Sequence, residues 1–235
     1  MDQFSRIELF YGKERLNKLQ NSHVCVFGLG GVGAICAESL ARSGIGELTL
    51  VDFDKVSSSN INRQILATHN TVGKLKTEVM RNRLLEINPM IKVNLINAFV
   101  TQEVLEKLAS VDYIIDAIDT VSSKILIYEF AQQKGIPFIS SCGMGNRQDP
   151  TKIEVSTLEK TSNDPFAKVL RIECKKRNIK RVKVVFSTEL PKKQQQQLND
   201  SMIRKEKMPP SSLMFVVNTA GLIMSGECIK TLVEN

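Results

Sequence analysis

Apolar and polar positions along this chain follow two rhythms. Short unbroken apolar or β-branched runs at 24–27, 47–51, 92–98, 113–117 and 137–141 predict strands buried on both faces, as in a parallel sheet. Helical spacing fills the intervals at 34–42, 72–87, 102–109 and 122–134, with Gly44, Pro89 and Gly135 marking helix ends. An amphipathic helix at 7–19 precedes the first strand. Strand and helix alternate, so the expected fold is α/β, a doubly wound and mostly parallel sheet. Beyond Gly145, the runs 153–158 and 182–187 read as two further strands on either side of a helix. They predict a C-terminal antiparallel extension of the sheet rather than a repeat. The final helix is expected at 219–233. Between these parts, 190–212 carries Lys192-Lys193, four glutamines from Gln194 and Pro209-Pro210, a composition that predicts a mobile loop. No internal repeat is visible, and residues 1–235 are expected to form a single domain.

Composition narrows the class. With 235 residues, 42% of them hydrophobic, the chain can bury a full core. The N-terminus has no basic segment followed by an apolar core, and no apolar run approaches the roughly 18 residues of a membrane span, so a cytoplasmic protein without membrane contact is expected. The five cysteines are scattered, with no Cys-x-x-Cys pair, and the only histidines are His23 and His69. Free thiols are therefore expected, and no zinc. Cys25, Cys36 and Cys228 read as small hydrophobes. Cys142 sits at a strand-to-loop junction where a thiolate could meet an activated acyl group, but nothing basic adjoins it in sequence.

Charge is concentrated in one place. The chain has 32 basic and 25 acidic residues, and eight of the bases (Lys168, Arg171, Lys175, Lys176, Arg177, Lys180, Arg181, Lys183) lie within sixteen positions beside one acid, Glu173. The remainder balances. That distribution is the footprint of a polyanion partner, RNA first among the candidates. Phe166, Val169, Leu170 and Cys174 are spaced as the apolar face of a helix, and Lys168, Arg171 and Lys175 as a row of cations on another face. A merely solvated helix face is the plainer alternative.

The chemistry is written in the first half. Gly28-Leu29-Gly30-Gly31-Val32-Gly33 follows the first strand and opens a helix, a turn that lets backbone approach phosphates and aims helix amides at them. Asp52 and Asp54 follow the second strand, at the spacing of a ribose-binding acid in a Rossmann-like fold. A nicotinamide dinucleotide would be satisfied by this much. It would leave unexplained the polar cluster Asn60, Asn62, Arg63 and Gln64, followed by Lys76, which is suited to a triphosphate. Asp119, just beyond the fourth strand, stands where such sheets bind ligands.

Five motifs in order, Gly28–Gly33, Asp52-Phe53-Asp54, Ser59-Asn60-Ile61-Asn62-Arg63-Gln64, Val72-Gly73-Lys74-Leu75-Lys76 and Asp116-Ala117-Ile118-Asp119, resemble the E1-like activating-enzyme superfamily. The segments 143–151, 160–165 and 184–189 are similar to one branch, the tRNA threonylcarbamoyladenosine dehydratases. The resemblance implies an E1-like adenylation fold and an enzyme that uses ATP and Mg2+ to adenylate the carboxylate of N6-threonylcarbamoyladenosine beside the tRNA anticodon. Ring closure within the same nucleoside then removes one water. Under it, Arg63, Lys76 and Asp119 are the catalytic candidates, and Gly28, Gly30, Gly31 and Gly33 cradle the nucleotide. Asp52, Asp54, Asn60 and Gln64 are further ATP contacts, Asp119 is the metal ligand, and Arg6 serves the neighbouring site of a homodimer. Lys168, Arg171, Lys175, Lys176, Arg177, Lys180 and Arg181 are the RNA-binding candidates, with modified tRNA as partner and sulfur-transfer proteins as further partners. The alternative is an enzyme that adenylates the C-terminus of a ubiquitin-like or sulfur-carrier protein; the zinc-binding cysteine pairs and acceptor cysteine common there are not evident here.

Overall fold

All five residues of β1 (His23–Phe27) are buried, because this strand runs through the middle of a sheet covered on both faces. Its alternation divides two cores: Val24 and Val26 face one helical layer, Cys25 and Phe27 the other. The computed structural model describes residues 2–108, 110–194 and 209–234. Around β1 lie β2 (Glu47–Val51), β3 (Lys92–Ile96), β4 (Tyr113–Asp116), β5 (Phe138–Ser141), β6 (Ile153–Thr157) and β7 (Lys183–Ser187), in the order β3-β2-β1-β4-β5-β7-β6. Every pair is parallel except β6 with β7.

The helices are α1 (Ser5–Tyr11), α2 (Lys13–Gln20), α3 (Gly33–Arg42), α4 (Lys76–Ile87), α5 (Gln102–Glu106), α6 (Val121–Lys134), α7 (Pro165–Lys176) and α8 (Met214–Glu234). Residues of α2, α3, α4 and α8 pack in one core, and those of α5, α6 and α7 in the other. The doubly wound sheet and its antiparallel extension are as expected. Because β2 and β3 lie on one side of β1 and β4 and β5 on the other, the chain reverses direction between β1 and β4. The carboxyl ends of those two strands therefore open a crevice. No helix among the described residues is long and apolar enough to cross a membrane.

Several boundaries depart from expectation. The helix expected at 7–19 is two, broken at Gly12, whose φ of 81° and ψ of 162° leave the helical region. The helix expected from 72 starts at Lys76, since Gly73 takes φ 87° and Leu75 is extended and bridges to Lys55. The helix expected at 102–109 ends at Glu106, and the last helix starts five residues early, at Met214. Most of the loop expected at 190–212 lies outside the described residues. Its described ends meet on Asn146, whose main chain bonds Lys192 and Ser211 and whose Oδ1 accepts from the Ser211 amide at 2.9 Å.

Candidate active site

The glycine turn fills the crevice between β1 and β4. Gly28 has φ 83°, and a Cβ there would stand 2.8 Å from the Ala117 carbonyl oxygen; on Gly33 it would overlap the Gly28 oxygen at 1.8 Å. These two glycines let the turn fold against itself and against the end of β4. Gly31 faces elsewhere: its missing Cβ would meet Val217 of α8 at 2.5 Å. Only Gly30 has open space, with the Gln64 side chain 4.0 Å away. The turn then enters α3 without a side-chain cap; the Ala34 amide is taken by the Gly30 carbonyl at 3.1 Å, and no side chain among the described residues competes with an anion for the rest of this helix start.

The second strand delivers the acids. Asp52 is buried; its Oδ2 accepts from the Leu29 amide at 2.7 Å and its Oδ1 from the Asp54 amide at 2.8 Å. Burial pushes its carboxyl above the ordinary range, opposed by Lys76 and by those two amides. Lys76, at the first turn of α4, is itself buried and reaches Asp54 at 2.7 Å and Asp52 at 3.9 Å. Asp54 is half-exposed, so this carboxylate–ammonium pair borders the crevice. Beside it, Phe53 and Phe99 meet with ring centroids 5.5 Å apart and remain exposed. The motif pattern gave no sign of this aromatic surface, although Phe53 lies between the two acids.

Arg63 is held in its own turn, donating to the Ser59 carbonyl at 2.8 Å and to Asn62 Oδ1 at 2.9 Å. Its carbonyl, together with that of Gly31, accepts from Asn218 Nδ2 of α8. The arginine turn and the glycine turn thus share one support. Gln64 is buried, and its Oε1 has no partner among the described residues, a polar atom left for a ligand or a solvent molecule. Asn60 is committed locally, because its Oδ1 accepts from the Ser57 amide in a capping box. Asp119 stands exposed three residues beyond β4, without an ion pair among the described residues.

The remaining candidates stand elsewhere. Arg6, expected to serve the neighbouring site, does not reach this crevice in its own chain: α1 is anchored ahead of β2 and β3, at the amino ends of the strands, where Phe4 packs on Gly44 and Gln3 bonds Asn88. The cation row is interrupted, since Arg171 turns inward to Thr161, while Lys176 and Arg177 clasp Glu173. Lys168, Lys175, Lys180 and Arg181 stay exposed without ion pairs among the described residues. The buried face of α7 is Ala167, Leu170 and Cys174, whereas Val169 is exposed. Finally, Cys142 is buried, and its thiol is pushed up to about 12 by that burial and by nearby Asp164. It is a thiol in the core rather than a thiolate at the crevice.

The three segments whose chemistry was opaque in sequence converge past β5. Asp164 accepts from the Gly143 amide, Glu189 from those of Gln148 and Asp149, and Arg147 donates to the Asn163 carbonyl. They brace one another beyond the carboxyl end of β5.

A model of the ThiF family matches residues 3–235. The tRNA threonylcarbamoyladenosine dehydratase of Bacillus subtilis is 43% identical, over 100% of this chain and 96% of its own length. The crystal structure of the Escherichia coli tRNA N6-threonylcarbamoyladenosine dehydratase with AMP superposes with a TM-score of 0.89 at 34% identity, covering 99% of this chain and 94% of that one; its complex with ATP gives 0.87. The chain belongs to the ThiF family and, within it, to the branch of the tRNA threonylcarbamoyladenosine dehydratases.

Proposed function

We propose that this protein uses ATP to dehydrate N6-threonylcarbamoyladenosine in tRNA, beside the anticodon. The threonyl carboxylate attacks the α-phosphorus of ATP, and pyrophosphate leaves. An atom of the nucleoside's own carbamoyl group then attacks the acyl adenylate, AMP departs, and the ring closes with net loss of one water. End-to-end similarity to dehydratases, one solved with ATP and again with AMP, carries this reading. AMP is what leaves when the acyl adenylate closes to the ring.

The crevice suits the first step. Negative charge grows on the phosphoryl oxygens as the carboxylate attacks, and fixed cations stabilise it. Arg63 and Lys76 supply them, the latter kept in place by Asp54 and Asp52. The uncapped start of α3 and the open flank of Gly30 take the phosphates, Asp52 the ribose, and Phe53 with Phe99 an apolar face for the base. The exposed carboxylate of Asp119, without an ion pair among the described residues, is an oxygen donor of the kind Mg2+ takes together with phosphates. When bound, the ion neutralises phosphate charge; Asp119 fixes where it sits. Ring closure needs no protein nucleophile, because both reacting groups belong to one nucleoside. Lys168, Lys175, Lys180 and Arg181 hold tRNA phosphates, and Arg6 completes the neighbouring site in a homodimer.

The test is mass spectrometry of nucleosides from tRNA bearing the modification, incubated with protein, Mg2+ and either ATP or a nonhydrolysable analogue. Loss of one water with ATP alone is expected. No mass change, from folded protein that still binds ATP, would shift the reading to adenylation of a carrier protein.

A further inference from the structure

Lys124 lies on α6, eight residues past Asp116, and both side chains are completely buried. Lys124 Nζ donates to Asp116 Oδ2 at 2.8 Å and to Ser140 Oγ at 2.9 Å, and lies 6.0 Å from the ring centroid of Phe166 on α7. Ser140 Oγ donates to the same Oδ2 at 2.7 Å and lies 2.6 Å from the Tyr128 hydroxyl. The other carboxylate oxygen, Oδ1, accepts from the Ile118 amide at 3.2 Å. No motif in the sequence includes Lys124, and the adenylation step does not employ it.

A buried ion pair is a weak source of stability, because desolvation opposes its attraction and apolar side chains of similar volume often serve as well. What a fully bonded pair does contribute is fixed geometry. Here the geometry it fixes is the bend leaving β4. Oδ1 restrains Ile118, while Ala117 is held from the other side by its amide bond to the Phe27 carbonyl and by Gly28 against its oxygen. The next residue is Asp119. Without the pair, the segment carrying this exposed carboxylate loses its restraint at Ile118 and keeps those at Ala117 and at Thr120, whose carbonyl accepts the Lys124 backbone amide.

We propose that Lys124 is a positioning residue: through Asp116 and Ser140 it holds the 116–119 bend so that the Asp119 carboxylate meets the metal–nucleotide substrate in one orientation. The proposal rests on the ATP-dependent reading of the site. Its test is the neutral pair Lys124→Met with Asp116→Leu, which removes both charges and the Oδ1 acceptor together. Amide hydrogen exchange of peptides covering 117–119, measured on protein free of nucleotide, should quicken about tenfold or more while peptides of β1 keep their protection. Turnover should fall, and Asp119→Ala, costing about 100-fold or more in the wild type, should cost less than about fivefold in the neutral pair, since the two act as one unit. Unchanged exchange, or an undiminished cost of Asp119→Ala, overturns the proposal. Should the pair not fold, Ser140→Ala carries the same comparison with both charges kept. Faster exchange and slower turnover support the proposal there, and wild-type values of both overturn it. A wild type unable to remove water from the modified tRNA would sink the functional reading alone, because the exchange measurement needs neither ATP nor RNA.

Discussion

Arg63 and Lys76 differ in how they are held, although both are cations at the crevice. Arg63 is half-exposed and its guanidinium, among the described residues, bonds within its own turn alone, so truncation removes charge with little loss of packing. Arg63→Ala should keep the melting temperature within a few degrees and lower kcat/KM about 10²–10³-fold in nucleoside turnover assays, the usual cost of one strong electrostatic contact. Lys76→Ala should lose comparable activity and also stability, because it leaves Asp52 buried without its cation. Equal, near-wild-type turnover of both variants would mean that neither cation acts on the phosphates. Cys142 supplies the contrast. Its thiol is pushed up to about 12 by burial, so Cys142→Ala should turn over within about threefold of wild type; a loss of orders of magnitude would require a thiolate. At this scale the sequence was legible where order and spacing carried the signal, as for Asp52, Arg63 and Lys76. It was opaque for Lys124, because a lone helical lysine ordinarily reads as solvent-exposed. The available hint was its place among Val121, Ile125 and Tyr128, on what is otherwise an apolar stripe.

Elements were legible by period and blurred at their ends, where single residues decide. Gly12 divides α1 from α2 without interrupting the hydrophobic rhythm, and Gly73 delays α4 in the same way. Phe166 and Val169 fit a helical stripe, yet Ala167, with its small side chain, is what packs beside Leu170 and Cys174. Contacts between elements were not legible, and Glu38 shows why they matter. It lies on α3, buried, and takes Arg42 from its own helix and Arg83 from α4. Burial raises its carboxyl, but hydrogen bonds and charge from Arg83 and Arg42 outweigh that and leave it below the ordinary range. A carboxyl lowered on folding adds stability above its unfolded value, and that stability is lost as pH falls through the folded value. Arg83→Met should therefore cost about 0.5–1 kcal/mol near pH 7, modest because Arg83 is partly exposed, and progressively less below about pH 4. Urea unfolding of the variant and wild type at both pH values checks this. A cost independent of pH would assign the contact to packing alone.

Across the whole molecule, two features sit on one chain for different reasons. The crevice at the β1–β4 crossover follows from sheet topology, and topology was readable because strands and helices alternate so regularly. The cation cluster was readable as a count, but the structure alters its membership: three of the seven RNA-binding candidates turn to acceptors within the chain. That gives the polyanion reading a sharper form. Reversing Lys168, Lys175, Lys180 and Arg181 to glutamate should weaken binding of modified tRNA at least about tenfold at moderate salt. It should also flatten the dependence of log affinity on log salt by about 0.7–0.9 for each phosphate left without its cation. ATP affinity should not move, because none of the four contributes to the crevice. Arg171→Ala should behave differently, leaving the salt slope intact while lowering stability, since its guanidinium ties α7 to the Thr161 carbonyl. Filter binding across a salt series separates these outcomes. If the fourfold reversal left both affinity and slope unchanged, the exposed cations would be an ordinary solvated surface and tRNA would have to approach across another face. If Arg171→Ala alone flattened the slope, that side chain would have to swing away from Thr161 to meet RNA, and the interruption in the row would belong to the free protein only.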